Sequence, residues 1–522
     1  MKRHKSTRIV SLVALAICLL SLLRIAPYFY KGQSPWLGYR NLNLARNMAL
    51  SGKFSVESQQ NIFLSSMEIS SQGQIANTGN SLTPVIYSWI FKAFGFNYNL
   101  PVFVSVILSA LTSVLIFLLI FRLLGLWPAL LAASLDLFLP VNWLGALAAG
   151  FYEWAMLFFV LGLVCYFWQT KTKVWQLILA GLCFGLAVLS RNAFLVSVPA
   201  VFIFEFMQTR NLKRLLALGL PLVVIFVLWI APGWLSPEQF NTYLAKTDTD
   251  LGRYGHLFND PYTYHYNQEN FINEVLNDKH PDTLDFFVKY GYEVSFIDRI
   301  KVYANSALYY LVEFIRLINY GGPLIALLMI FGLGLFKKRQ LVLFKFFSIW
   351  LASWYVALIY LRTNNWDHFL EIKFIVLATA SYAATFIIHK LFDNSLKLKR
   401  ASFILLAGCL ILHSFLAAKW LFHEEYNTSQ LDNLRQAATR LNQSSLDRDE
   451  VVASGGSVIF NEGLNYFTDQ SIIFFHPQTI KELYQQNKIS EAFDKFKVVA
   501  ATNFEPEIMS LIKEQTTVKI IE

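Results

Sequence analysis

Residues 101–121 read PVFVSVILSALTSVLIFLLIF, with no ionisable side chain in the run. At a rise of about 1.5 Å per residue, roughly 20 such residues cross the hydrocarbon core of a bilayer. The stretch therefore reads as a membrane span. Comparable apolar runs lie on either side of it, at 9–29, 215–234, 341–361, 372–392 and 401–422. Composition agrees: of 522 residues, 55% are hydrophobic, 16% aromatic and only 15% charged, where a soluble globular chain carries about 25% charged residues. The chain reads as a polytopic α-helical membrane protein, and no repeat or low-complexity tract interrupts the spans.

The formal net charge of +9 does not point to nucleic acid, because of where the charge lies. Lys2, Arg3, Lys5 and Arg8 precede the first span. Later clusters are Lys171 and Lys173, Arg210 with Lys213 and Arg214, Lys337 with Lys338 and Arg339, and Lys397 with Lys399 and Arg400. Each sits in a short connection between spans, the signature of cytoplasmic loops. The first span has a basic approach like a secretory signal, but Ile25-Ala26-Pro27-Tyr28 offers no small-x-small cleavage site, so it reads as uncleaved. Cys18, Cys165, Cys183 and Cys409 all fall in apolar segments and read as small buried hydrophobes without a disulfide framework.

With every basic cluster on the cytoplasmic side, the spans fall at about 9–29, 101–122, 125–140, 153–168, 174–190, 193–207, 215–234, 320–336, 341–361, 372–391 and 401–421. That is about eleven transmembrane helices, an odd number, which leaves the N-terminus cytoplasmic and the C-terminus extracytoplasmic. Long external loops are expected at about 30–99 and 235–300, and residues 141–152 lie outside between the third and fourth spans. The transmembrane domain then covers 1–421, and 422–522 is a separate small domain. In the latter, 431–441 and 479–496 read as amphipathic helices, while 451–460, 471–475, 497–501 and 517–521 read as β-branched strands. Their alternation predicts a small extracytoplasmic α/β C-terminal domain. Ser454-Gly455-Gly456-Ser457 within it lacks the lysine and the glycine spacing of a phosphate loop and reads as a turn.

In the first external loop, 40–50 (RNLNLARNMAL) is a short helix with Leu42, Leu44, Ala45, Met48 and Ala49 on one side and Arg40, Asn43, Arg46 and Asn47 on the other. Such a helix is expected in the interface, apolar face to lipid and polar face to water. The aromatic stretch 84–94 reads the same way.

Ionisable residues at membrane depth are costly and each needs a reason. Glu153 opens the fourth span, where a carboxylate either complements the helix N-terminus or faces outward to hold a metal ion or a sugar hydroxyl. Arg191 lies at an external helix end against the positive-inside trend; it either snorkels to lipid phosphate or pairs with the phosphate of a lipid-linked substrate. Glu371 and Lys373 read as an interfacial ion pair, Asp136 as a capped or water-exposed carboxylate near the surface, and Glu205 as interfacial. His256, His265 and His280 lack metal-ligand spacing. No Ser-His-Asp set or ATP-binding loop is present, which leaves a primary pump without support, and the spans show no paired broken-helix symmetry of the transporter kind.

Several of these pieces fall in an order that resembles the GT-C membrane glycosyltransferases, of the protein O-mannosyltransferase and lipid A aminoarabinose transferase type. Asn41-Leu42-Asn43-Leu44-Ala45-Arg46-Asn47-Met48 with Gly52 resembles the family's first-loop helix. Leu82-Thr83-Pro84-Val85-Ile86-Tyr87-Ser88-Trp89 through Phe94-Gly95 is similar to its proline motif and aromatic helix. Glu153 matches the acidic residue opening the fourth span, Gly185-Leu186-Ala187-Val188-Leu189-Ser190-Arg191 with Pro199 is similar to the next motif, and Glu371-Ile372-Lys373-Phe374 echoes a late one. The resemblance extends over most of residues 1–390. It departs in two places: where the family has a first-loop aspartate, the residue is near Leu37, and where a lysine often precedes the proline pair, the residue is near Leu82.

The resemblance implies a polyprenyl-phosphate-sugar donor, an extracytoplasmic glycan, lipid or protein acceptor, inversion at the sugar, and no nucleic-acid partner. Glu153, Asp136 and Glu57 are the catalytic candidates, with Glu68 a further carboxylate of the first loop. Arg191, Lys373 and Arg40 are the cations for the donor phosphate. Glu153 is the candidate ligand for a divalent metal, Mg or Mn. The absent aspartate near Leu37 keeps an alternative open, a non-catalytic GT-C-like scaffold that binds the lipid-linked sugar.

Overall fold

Helices form along the apolar runs and end where glycine, proline or a basic cluster interrupts them. The computed structural model describes residues 2–31, 38–50, 61–62, 82–149, 152–168, 173–235, 323–361, 369–392, 428–447, 450–455, 470–475 and 477–521, with scattered positions within 297–311, 395–412 and 463–468. In chain order the elements begin with α1 Lys2–Ser21, a 3-10 turn Leu22–Ile25, α2 Ala26–Lys31, α3 Tyr39–Leu50, β1 Asn61–Ile62 and α4 Leu82–Phe94. Next come α5 Leu100–Leu124, α6 Leu126–Phe138, α7 Pro140–Leu147, α8 Glu153–Phe167, α9 Val174–Ser190, α10 Val198–Thr209 and α11 Leu212–Leu235. They are followed by α12 Pro323–Arg339, α13 Leu341–Leu361, α14 Phe369–Leu391 and α15 Thr428–Gln443. The chain closes with β2 Val451–Ser454, β3 Ser471–Phe475, α16 Pro477–Gln485, α17 Ile489–Lys495, β4 Val498–Thr502, α18 Pro506–Gln515 and β5 Lys519–Ile521.

These elements divide into two units, Met1–Gly32 with Val102–Ala231 and Phe271–Tyr426, and Gln33–Pro101 with Pro232–Asn270 and Asn427–Glu522. The first is helical. Among its described residues α5 and α14 are each long and apolar enough to cross a membrane, and α6 with α7 makes a further apolar pair bent by 57°. Val10–Ile25, Glu153–Phe167, Val174–Ser190, Ala193–Thr209 and Leu341–Ala357 are shorter apolar helices. Glycines let some helices approach closely. A Cβ on Gly181 would lie 2.0 Å from the Leu218 carbonyl oxygen, and one on Gly332 would lie 2.2 Å from that of Thr379. Small residues at such crossings permit the backbone contact that membrane helices rely on for association.

The bend between α6 and α7 corrects one expectation. The connection expected over 141–152 is, in its described part, the helix α7, with Val141, Leu144, Ala146 and Leu147 buried. Pro140 has no N–H to continue α6 and instead starts α7 at its first turn, after Leu139 adopts an extended conformation. The carbonyls left open at the end of α6 are taken up locally: Trp143 Nε1 donates to Leu137 O at 2.8 Å and Asn142 Nδ2 to Asp136 O at 2.6 Å. The expected span at 193–207 likewise starts as a 3-10 turn, Asn192–Val196, before α10.

The second unit contains a five-stranded parallel sheet in the order β1-β3-β2-β4-β5. Its core is made by Ala453, Ile473 and Phe475 of the strands with Leu483, Phe493, Ile508 and Ile512 of the helices. Two elements are additional to the sequence reading: α18, and β1, a two-residue strand from the first loop whose Asn61 and Ile62 pair with Phe474 and Phe475. The predicted 479–496 helix is two helices, broken at Asn487, which takes a left-handed φ of 56°. The predicted interfacial character of 40–50 is also corrected. Asn41 and Asn43 are buried along with Leu42 and Leu44, and buried Arg46 donates to Tyr466 O at 3.2 Å and Thr468 O at 2.7 Å. On its polar side, Arg46 thus meets protein carbonyls.

Candidate functional site

Within the helical unit, five elements each contribute polar side chains to one buried cluster. Arg24, fully buried in the 3-10 turn after α1, directs Nη1 to Ser109 Oγ at 2.7 Å and Ser113 Oγ at 2.9 Å on α5. Its Nη2 reaches Asp136 on α6, donating to the carbonyl oxygen at 2.7 Å and to Oδ2 at 3.1 Å. The Ser113 hydroxyl also donates to Asp136 Oδ2. Asn142 of α7 donates to Asp136 Oδ1 at 2.7 Å and accepts from Lys373 Nζ of α14 at 2.9 Å. Lys373 Nζ also lies 3.2 Å from Asp136 Oδ1. One carboxylate therefore carries two cations and two neutral donors, the geometry that makes a buried ion pair tolerable in a low-dielectric interior.

Beside this cluster is a small cavity of about 20 Å³, room for one water. Ser109, Thr112, Asn142, Tyr152, Glu153 and Lys373 are among its lining. Glu153 begins α8, and its Oε2 accepts from the Tyr152 backbone N–H at 3.3 Å. Gly145 of α7 packs beside this carboxylate, where a Cβ would stand 3.4 Å from Glu153 Oε1 and 3.3 Å from Leu370 Cδ1. Glu371, two residues before Lys373, accepts from Trp354 Nε1 at 3.1 Å and from Tyr152 Oη at 3.5 Å. The Arg191 guanidinium sits 3.8 Å above the Tyr152 ring, a cation–π contact. The cavity wall thus presents a carboxylate, an ammonium and an amide together, a set able to take a proton and to neutralise an anion.

Asp136, Glu153 and Lys373 are brought together, and Arg191 reaches the cavity wall through Tyr152. Three sequence readings are corrected. Asp136 is not water-exposed; it is wholly buried as the common partner of Arg24 and Lys373. Lys373 pairs with Asp136, not Glu371, because residues two apart on a helix face different directions. Glu205 is buried rather than interfacial, held by Arg214 Nε at 2.5 Å and Tyr166 Oη at 2.6 Å. Glu57, Glu68 and Leu37 lie outside the described residues, as does the side chain of Arg40. Arg24 and Asn142 escaped the sequence reading. The signal for Arg24 was present: an arginine inside the apolar run Leu22-Leu23-Arg24-Ile25.

The donor set does not suit a divalent cation. Asp136 is ringed by Arg24 and Lys373, Glu153 is one carboxylate beside an ammonium, and no group of three His, Cys, Asp or Glu side chains occurs among the described residues.

No protein-family model matches the chain, and no curated protein matches it by sequence. Solved structures do match by fold. The oligosaccharyltransferase of Archaeoglobus fulgidus, in complex with Zn and sulfate, superposes with a TM-score of 0.56 at 14% identity, over 93% of this chain and 67% of that one. ArnT from Cupriavidus metallidurans, in the apo state and bound to undecaprenyl phosphate, superposes with a TM-score of 0.53 at 13% identity, over 99% of this chain and 90% of that one. Both are GT-C proteins, and this chain shares their fold.

Proposed function

We propose that this protein is an integral-membrane GT-C glycosyltransferase that moves a sugar from a polyprenyl-phosphate donor to an extracytoplasmic glycan, lipid or protein acceptor. The observation that carries the reading is that Glu153 and Lys373 line one cavity. The fold it shares with an ArnT structure bound to undecaprenyl phosphate supports the donor class. About eleven crossings, with the N-terminus cytoplasmic and the 422–522 α/β domain outside, complete the reading.

The Glu153 carboxylate takes the proton of the acceptor hydroxyl as its oxygen attacks the anomeric carbon. The bond from that carbon to the phosphate oxygen breaks, its electron pair leaves with the polyprenyl phosphate, and the sugar inverts. Lys373 neutralises the charge that develops on the phosphate, a pre-placed cation at a developing anion. Arg191, stacked on Tyr152, is the second cation within reach of the wall. Asp136 is a counter-ion in this scheme, because its oxygens already accept from Arg24, Ser113 and Asn142.

In proteoliposomes loaded with lipid-linked sugars, wild type releases polyprenyl phosphate and Glu153→Gln does not, with unchanged elution of the folded protein. Full release by Glu153→Gln would remove Glu153 from the reaction. A second reading, a scaffold that binds the lipid-linked sugar without turnover, is favoured by Leu37 standing where the family has an aspartate. Donor binding without any release by wild type would select it.

A further inference from the structure

We propose that Arg24 is a positioning residue that frees Lys373 to serve the donor phosphate, with Asp136 as the site where Lys373 waits. The inference rests on the donor-phosphate reading of Lys373 above. Lys373 is the cation of the cluster that lines the cavity, and it is held there by Asp136 Oδ1 at 3.2 Å and Asn142 Oδ1 at 2.9 Å. Arg24 does not line the cavity. It is fully buried behind Asp136 and bonds the other carboxylate oxygen, Oδ2.

This division of one carboxylate between two cations has a consequence. Were Lys373 the only partner of Asp136, moving its ammonium to a ligand would strand a buried carboxylate without a counter-charge, a costly state. With Arg24 in place, Asp136 keeps a guanidinium, the Ser113 hydroxyl and the Asn142 amide when Lys373 leaves. The exchange then trades one anionic partner of Lys373 for another and leaves no charge unpaired. Arg24 is itself fixed by Ser109 and Ser113 of α5. The arrangement predicts that losing Arg24 locks Lys373 onto Asp136, so that only a small fraction of the protein is competent to take phosphate.

The test is undecaprenyl phosphate binding to purified protein in detergent, titrated on the folded, monodisperse fraction of each variant. A drop to a tenth in the competent fraction raises the apparent Kd about tenfold. Arg24→Met should show at least that rise, Arg24→Lys should stay within about threefold of wild type, and Arg24→Met/Asp136→Asn, which removes lock and key together, should also return to within about threefold. A merely structural role would lower the yield of folded Arg24→Met but leave the Kd of that folded fraction at the wild-type value, and this result overturns the proposal. If Arg24→Met yields no folded protein, the double variant decides: wild-type affinity sustains the proposal and tenfold weaker binding overturns it. Lys373→Met separates the two levels. Wild-type affinity there sinks the donor-phosphate reading itself, whereas loss of binding in Lys373→Met beside an unaffected Arg24→Met sinks only the role given to Arg24.

Discussion

Two buried arginines follow the first helix of the chain, and they are used in opposite ways. Arg24 meets a carboxylate, two hydroxyls and, through Asp136, a second cation at a cavity wall. Arg46 meets the backbone carbonyls of Tyr466 and Thr468. A buried guanidinium on neutral carbonyls fastens one segment to another. A guanidinium within a cluster of opposed charges sets the electrostatics of whatever enters beside it. The difference separates site from scaffold in a chain where both arginines look equally costly.

The comparison can be broken or sharpened by substitution. The largest effect belongs at the cavity: Glu153→Gln should cut turnover by about 10²–10⁴-fold, the usual worth of a general base, with melting temperature unchanged. Rates close to wild type would move the base elsewhere, with Glu371, which accepts from Tyr152 Oη of the wall, the next carboxylate to test. Asp136→Ala strands Arg24 and Lys373 together and should cost about 3–5 kcal/mol in denaturant titrations of the detergent-solubilised protein. A neutral result there would mean that water reaches the cluster. Arg46→Met should cost about 3 kcal/mol through two charge-assisted bonds, yet leave undecaprenyl phosphate affinity as it was. A change in that affinity would erase the distinction between the two arginines.

Smaller effects lie in the α/β unit. A Cβ on Gly455 would stand 2.5 Å from Phe504 Cδ1 and 2.9 Å from Asn503 O, so Gly455→Ala should destabilise by about 1–3 kcal/mol, read by thermal unfolding. The smallest concerns Tyr484, whose exposed phenol donates to Glu514 Oε2 at 2.5 Å. That bond, and the negative charge of Glu514, raise the phenol above its ordinary range. A pKa raised by folding adds stability below the unfolded value and loses it as pH rises through the folded value. Spectrophotometric titration of the two proteins should therefore find one fewer late-ionising tyrosine in Glu514→Gln than in wild type.

Much of this organisation is legible in the sequence, and the failures have physical causes. Long apolar runs such as 101–121 announce themselves because a bilayer demands length and uniformity at once. The parallel strands 471–475 and 498–502 do so because β-branched runs between amphipathic helices have few other uses. Glu153 and Lys373 stand out as charges beside apolar helices. Arg24 does not, because averaging hydropathy over a span hides one charge among leucines, and its partner Asp136 is more than a hundred residues away in sequence. Proximity in sequence misled for Glu371 and Lys373, where helical geometry turns neighbours apart. Pro140 signalled a break in the helix, but not that the next helix would fold inward and bring Asn142 to the cluster. Strand β1, with two residues, is too short for any pattern and is specified by the edge of the sheet it joins.

The central claim, that this GT-C fold holds a polyprenyl phosphate at the Lys373 cavity, is met most directly by native mass spectrometry of the protein purified in mild detergent. The account predicts a co-purifying polyprenyl phosphate or its sugar adduct on wild type, lost from Lys373→Met. Bulk phospholipid alone on wild type, or equal polyprenyl phosphate on both proteins, would contradict it.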